Sequence, residues 1–138
     1  ILLSLVGSEM CIRDSLKVEN YVYNAVSRSA VSLAEAVNAK AVVAFTASGN
    51  TALRMSRERP NLLLVVMTPE VKVKRKLSLL WGAYSFFSKV QGYEAAIKEA
   101  REIIKIEKLA EQGDAIVVVA GMPFGVSGST NSIRVVDI

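Results

Sequence analysis

Two short segments concentrate the residues that could bind an anion. The first, Thr46-Ala47-Ser48-Gly49-Asn50-Thr51, places three hydroxyls and a glycine between an apolar run and a segment with helical character. The first turn of a helix has backbone N–H groups without intrahelical partners and a partial positive charge, and a glycine lets an anion approach closely. The same residues also read as ordinary capping, with Ser48 closing the helix start. The second segment, Val126-Ser127-Gly128-Ser129-Thr130-Asn131, ends a glycine- and hydroxyl-rich stretch from Gly121. Its backbone amides could wrap an anion, or it could simply connect two strands. Neither segment is followed by Gly-Lys-Ser/Thr, and neither has G-x-G-x-x-G spacing, so Walker-type ATP binding and NAD binding are disfavoured.

Catalysis by this chain alone is not expected. Histidine is absent, which removes the commonest general base near neutral pH and the commonest transition-metal ligand. The one cysteine, Cys11, permits neither an intrachain disulfide nor a cysteine-based zinc site. The acids lie mostly on helix faces, with no metal-ligand spacing and no nucleophile–base pair. No catalytic residue and no metal ligand is therefore assigned.

Other candidates are weaker. Lys72, Arg75 and Lys76 share a helix face but lack the stacking aromatics of a nucleic-acid surface, so a solvated face is the better reading, with one cation free to help hold a phosphate. Trp81, before Gly82, could be core or interface, or could stack on a ligand at the rim. The net charge of +4 over 138 residues suits an anionic ligand but is too small and scattered to argue for nucleic acid.

These candidates must be positioned by a small α/β domain. Residues 20–38 predict a helix, with Val22, Val26, Ala30, Leu33, Ala34 and Val37 on one face. The continuous apolar runs 41–45, 62–67 and 115–120 predict strands covered on both faces, as in a parallel sheet. Residues 50–59 predict a helix stopped by Pro60. Thr68-Pro69-Glu70 predicts a hydroxyl-capped helix start, with that helix ending near Trp81-Gly82. Residues 84–87 suggest another strand, 93–109 an amphipathic helix closed by Gly113, and 133–138 a half-exposed edge strand. The expected fold is a three-layer α/β/α domain, its five-stranded sheet mostly parallel with an antiparallel C-terminal edge strand. Both polar loops follow a strong strand, so both belong on the rim where such sheets bind ligands.

About half the residues are hydrophobic, a globular composition. The apolar run at residues 1–6 is too short for a membrane span and lacks the features of a signal peptide. Residues 4–15 have no periodicity and resemble translated sequencing adapter found at the ends of fragmentary gene models. Residues 1–15 are therefore expected to be non-native or disordered, and residues 16–138 to form the domain.

Thr46-Ala47-Ser48-Gly49-Asn50-Thr51-Ala52, Arg57-Glu58-Arg59-Pro60, Thr68-Pro69, Leu80-Trp81-Gly82, Gly113-Asp114 and Gly128-Ser129-Thr130-Asn131-Ser132-Ile133-Arg134-Val135 follow one another in this order. In that order and spacing they resemble the C-terminal domain of pyruvate kinase, over roughly residues 17–138. The resemblance implies a cytoplasmic glycolytic phosphotransferase, converting phosphoenolpyruvate and ADP to pyruvate and ATP in a TIM-like barrel that needs magnesium and often potassium. The barrel, its metal ligands and its catalytic lysine lie outside these residues.

For this domain the resemblance implies an allosteric-effector site and a subunit interface of a homo-oligomer, commonly a homotetramer. The effector phosphate would meet Thr46, Ser48, Gly49, Asn50 and Thr51, and the loop bearing Ser127, Gly128, Ser129 and Thr130 would close over it. The first helix and last strand would contribute to the interface. Met122-Pro123-Phe124-Gly125 stands where some relatives carry Trp-Arg-Pro-Gly. The missing arginine weighs against a sugar bisphosphate and leaves a monophosphate as the alternative. A second reading is a free-standing phosphate-ligand-binding domain. Neither nucleic acid nor membrane is expected as a partner.

Overall fold

The computed structural model describes residues 22–124, 126 and 128–138; the adapter-like segment 1–15 lies outside them. The elements run α1 (Val22–Ala36), β1 (Ala41–Phe45), α2 (Asn50–Arg57), β2 (Leu63–Thr68), α3 (Val71–Leu77), β3 (Ala83–Phe87), α4 (Tyr93–Ile106), β4 (Ala115–Gly121) and β5 (Thr130–Asp137). One sheet takes the order β3-β2-β1-β4-β5. Its first four strands pair in parallel, and β5 runs antiparallel to β4 at the edge. The expected three-layer fold with an antiparallel terminal strand is the fold observed.

The two faces of the sheet explain the continuous apolar runs. Val43, Phe45, Val65, Met67, Ile116 and Val118 pack beneath Ala96, Ile97, Ala100 and Ile104 of α4. Their strand neighbours Val42, Ala44, Leu64, Val66, Val117 and Val119 point the other way and meet Ala30, Val31 and Ala34 of α1, Ala52 and Met55 of α2, and Leu77 of α3. Because side chains alternate along a strand, a strand with helices on both faces needs apolar residues at every position.

Local signals were overridden at several places. Thr68 does not cap a helix: it is the last residue of β2, fully buried, paired with Phe87, and its carbonyl accepts the Ser88 amide at 2.9 Å. Its Oγ1 accepts only the Glu70 amide, at 3.3 Å, and α3 begins at Val71 with Glu70 as a cap that makes no side-chain bond. Sheet pairing thus claims the residue that local chemistry assigned to a cap. The helix then stops at Leu77 rather than near Trp81.

The second helix ends at Arg57, before Pro60, with Arg59 in the left-handed region at φ 48°. The long amphipathic helix ends at Ile106, with Lys108 at φ 53°, while Gly113 serves the later turn into β4. On α1 the buried face is Ser27, Ala30, Val31 and Ala34, whereas Val22 and Val37 are exposed. Ser27 is accommodated there because its hydroxyl donates to the Tyr23 carbonyl at 2.7 Å.

Ile104 is fully buried and Leu79 is 91% exposed. In chemical denaturation, Ile104→Ala should lower the unfolding free energy by about 2–5 kcal/mol, while Leu79→Ala should change it by less than about 0.5 kcal/mol.

Candidate functional site

The sheet reverses its order of connection between β1 and β4. From β1 the chain winds outward through β2 to β3, then crosses by α4 to β4 on the other side of β1. Loops leaving β1 and β4 at their carboxyl ends therefore part to opposite sides, leaving a crevice between them.

The loop after β1 is shaped by its own hydroxyl and glycine. The Thr46 amide donates to the Met67 carbonyl at 3.0 Å, continuing the sheet one residue further. Its Oγ1 accepts the Gly49 amide at 2.9 Å, which closes the turn. Gly49 adopts φ 84°, and a Cβ there would meet Val73 Cγ1 at 3.1 Å and Leu77 Cδ2 at 3.3 Å. Glycine is required both by conformation and by the close passage over α3.

Gly49 is the N-cap residue of α2 and brings no side-chain bond to the helix start. Ser48 reaches the Asn50 amide only at 3.5 Å, so the capping alternative is weakly realised and its hydroxyl is left beside the crevice. The first intrahelical amide bond of this turn runs from Leu53 to Gly49. The amides of Asn50, Thr51 and Ala52 precede it and have no intrahelical acceptor.

The return loop from β4 to β5 is anchored at three points. The Met122 amide donates to Asn131 Oδ1 at 3.0 Å, and Asn131 Nδ2 donates to the Met122 carbonyl at 2.8 Å. Phe124 packs its ring against Phe45 and Tyr93, with centroids 5.8 and 6.5 Å apart. Ser129 passes so close to Gly121 that a Cβ on Gly121 would lie 2.2 Å from Ser129 Oγ and 2.8 Å from its backbone carbon. Gly121 is thus a packing requirement of the loop, visible only in the tertiary structure.

The two loops meet directly. Thr51 Oγ1 and Thr130 Oγ1 share a hydrogen bond of 2.7 Å, with both residues buried. The bond joins the first turn of α2 to the first residue of β5.

Beside it opens a cavity of about 630 Å³. Thr46, Ser48, Thr51, Gly128, Ser129 and Thr130 line it; Gly49, buried against α3, and Asn50, exposed at the helix start, do not. Ser127 lies outside the described residues. Phe45, Met67, Pro69, Val90 and Phe124 supply an apolar side.

Lys89 also lines the cavity, at the segment following β3 with Ser88 and Gln91. Sequence reasoning passed over it; the signal was a lysine immediately beyond a third strand of the same parallel sheet. Among the described lining residues Lys89 is the one cation, and there is no carboxylate. Lys72, Arg75 and Lys76 are absent from this lining and exposed on α3.

Trp81 is not brought to the site. It precedes β3, at the opposite end of the strands from the two loops, and is 65% exposed in a shallow depression with Leu53, Ser56, Arg57, Arg59 and Leu80. Its carbonyl accepts Ser56 Oγ at 3.1 Å. The length of β3 separates Trp81 from the rim at which stacking on a ligand was expected of it.

The family described as "Pyruvate kinase, alpha/beta domain" matches residues 24–136, nearly the whole described chain. The chain belongs to the pyruvate kinase family.

A pyruvate kinase from Agrobacterium vitis is 44% identical over 116 residues, covering 83% of this chain and 24% of that protein. One from Corynebacterium efficiens is 42% identical over 111 residues, covering 80% of this chain and 23% of that protein. The solved structure of a Cryptosporidium parvum pyruvate kinase in complex with ADP superposes with a TM-score of 0.82 at 31% identity, covering 93% of this chain and 26% of that one. The chain thus spans about a quarter of the length of these relatives. What it shares with pyruvate kinases is their α/β domain.

Thr51→Val or Thr130→Val alone leaves the other buried hydroxyl without its partner and should cost about 1–3 kcal/mol. The double variant should cost less than the sum of the two, with a coupling of about 0.5–3 kcal/mol in a double-mutant cycle by denaturation.

Proposed function

We propose that this chain is the effector-binding and subunit-interface domain of a cytoplasmic pyruvate kinase, whose barrel converts phosphoenolpyruvate and ADP to pyruvate and ATP in glycolysis. The cavity between the loops following β1 and β4 holds the phosphate of a small phosphorylated effector. The observation that carries this reading is the convergence of the two loops. Thr51 in the first turn of α2, the hydroxyls of Thr46 and Ser48, Gly128 and Ser129 of the return loop, and a lysine all border one crevice at the sheet's switch point.

The chemistry favours a phosphate over a neutral ligand. Three helix-start amides and the nearby hydroxyls are donors suited to the terminal oxygens of a phosphate, and the helix dipole adds a partial positive charge. Hydrogen bonds to an ionised acceptor are stronger than neutral ones. Magnesium and potassium act at the barrel in this reading. Among the described residues no group of three or more His, Cys, Asp or Glu could hold a metal, and no step here involves one.

Regulation follows from what the cradle is attached to. Thr130 opens β5, so whatever orders Thr51 and the return loop also acts on the edge strand. The first helix packs beside that strand. In this reading α1 and β5 carry the contacts between subunits of a homotetramer, and effector binding biases those contacts through the Thr51–Thr130 bond.

Titrating the full chain with inorganic phosphate, followed by two-dimensional amide NMR, tests the cradle. The amides of Gly49, Asn50, Thr51 and Ser129 should shift together and saturate, with Trp81 and Arg57 unmoved. Shifts scattered over the lysine-rich face of α3, or none at the cradle, would count against the proposal.

A further inference from the structure

We propose that the groove between α2 and α3, with Trp81 at its foot, binds single-stranded nucleic acid without regard to sequence. The groove lies apart from the anion cavity, and the inference does not rest on that cavity's ligand.

The two faces of the sheet differ in charge. On one, α2 and α3 carry Arg54, Arg57, Lys72, Lys74, Arg75 and Lys76 and no acid, and Arg59 follows α2. On the other, α4 sets Lys98, Arg101 and Lys105 against Glu94, Glu99 and Glu102. A surface of one sign attracts a polyanion, and a balanced one does not.

The fold sorts the cations. Arg54 lies over the Tyr23 ring, 4.0 Å from its centre, which turns it toward α1. Glu58, between Arg57 and Arg59, meets Arg28 of α1 at 3.6 Å and is drawn the same way. Leu53 and Arg57, one turn apart, line a shallow depression of about 440 Å³ with Ser56, Arg59, Leu80 and Trp81. The helix α3 runs beside α2, with Val73 and Leu77 against Gly49. Its other flank is tied to β3, where Ser78 Oγ and Ser85 Oγ are 3.4 Å apart. Lys72, Arg75 and Lys76 remain exposed, with Lys72 and Lys76 about 6 Å apart along the axis. Among the described residues, none of Arg57, Arg59, Lys72, Arg75 and Lys76 takes part in an ion pair.

On sequence alone the α3 cations lack an aromatic partner, because the expected helix runs on to Trp81. The helix instead stops at Leu77, and the following turn carries Trp81 to the end of α2, where its carbonyl accepts Ser56 Oγ. A mostly exposed indole thus stands beside two arginines. An aromatic face stacks on any base, and cations beside it follow the backbone phosphates. Trp81 sits in a recess flanked by arginines, which suits a base better than a bilayer. A single phosphate meets one or two exposed cations here and is held weakly. A chain of phosphates engages them together.

Trp81 is the only tryptophan of the chain, so its fluorescence reports stacking directly. Titrating the full chain with an oligouridylate of about 12 nucleotides should quench it. The logarithm of the binding constant should fall against that of the salt concentration with a slope of roughly −2 to −3.5, at about 0.7 per phosphate neutralised. By anisotropy of the labelled oligomer, Trp81→Leu should bind roughly tenfold more weakly at an unchanged salt slope. The combined variant Lys72→Gln, Arg75→Gln, Lys76→Gln should bind more weakly with the slope shallower by about 2. The control Lys98→Gln, Lys105→Gln on α4 should match wild type. Amide spectra of each variant report that the fold is intact. No binding at roughly 50 mM salt, binding without quenching of Trp81, binding that survives the combined variant, or tighter binding to phosphatidylglycerol vesicles than to the oligomer overturns the proposal.

Discussion

Strand β1 is paired on both edges and covered on both faces, and the chain can leave it in only one way. Ala41–Phe45 is buried throughout, bonded to β2 on one side and β4 on the other. Beyond Phe45 the backbone must turn at once, because α2 has to lie back over the same face of the sheet. The turn is achieved with a threonine hydroxyl accepting the Gly49 amide and a glycine in the left-handed region. A helix start with open amides at the edge of the crevice is the direct result. The polar lip of the crevice is thus a consequence of topology, and its residues are those that this turn tolerates or needs.

The second loop is constrained by a different means. Its ends are held by the Asn131–Met122 amide pair and the close passage of Ser129 over Gly121, while Phe124 is drawn into the apolar cluster with Phe45 and Tyr93. The Thr51–Thr130 bond then makes the two loops one mechanical unit, although the residues are far apart in sequence. A ligand ordering one loop must act on the other. Because Thr130 begins β5, any ordering of the loops also acts on the edge strand of the sheet.

The layered fold was legible because its strands obey a simple rule. Covered on both faces, 41–45, 62–67 and 115–120 are continuous apolar runs, and the alternation of helices between them dictates a parallel sheet. The features that escaped were those in which sheet pairing prevailed over local preference. Thr68 looks like a cap but is claimed by its pairing with Phe87. Val22 and Val37 fit the helical period of α1, yet the packing turns Ser27 and Val31 inward instead. In the site, the hydroxyl and glycine loops were readable from composition, whereas Lys89, Gly121 and the misplaced Trp81 depend on which strand end meets which, information that periodicity does not carry.

The central claim is that both loops close on one anion at the carboxyl ends of β1 and β4. A crystal structure of the full chain grown with a phosphorylated sugar measures it most directly. The account predicts phosphate density within hydrogen-bond distance of the amides of Asn50 and Thr51 and of the Ser48 hydroxyl. Ordered ligand bound elsewhere, with this cavity empty at saturating concentration, would contradict it.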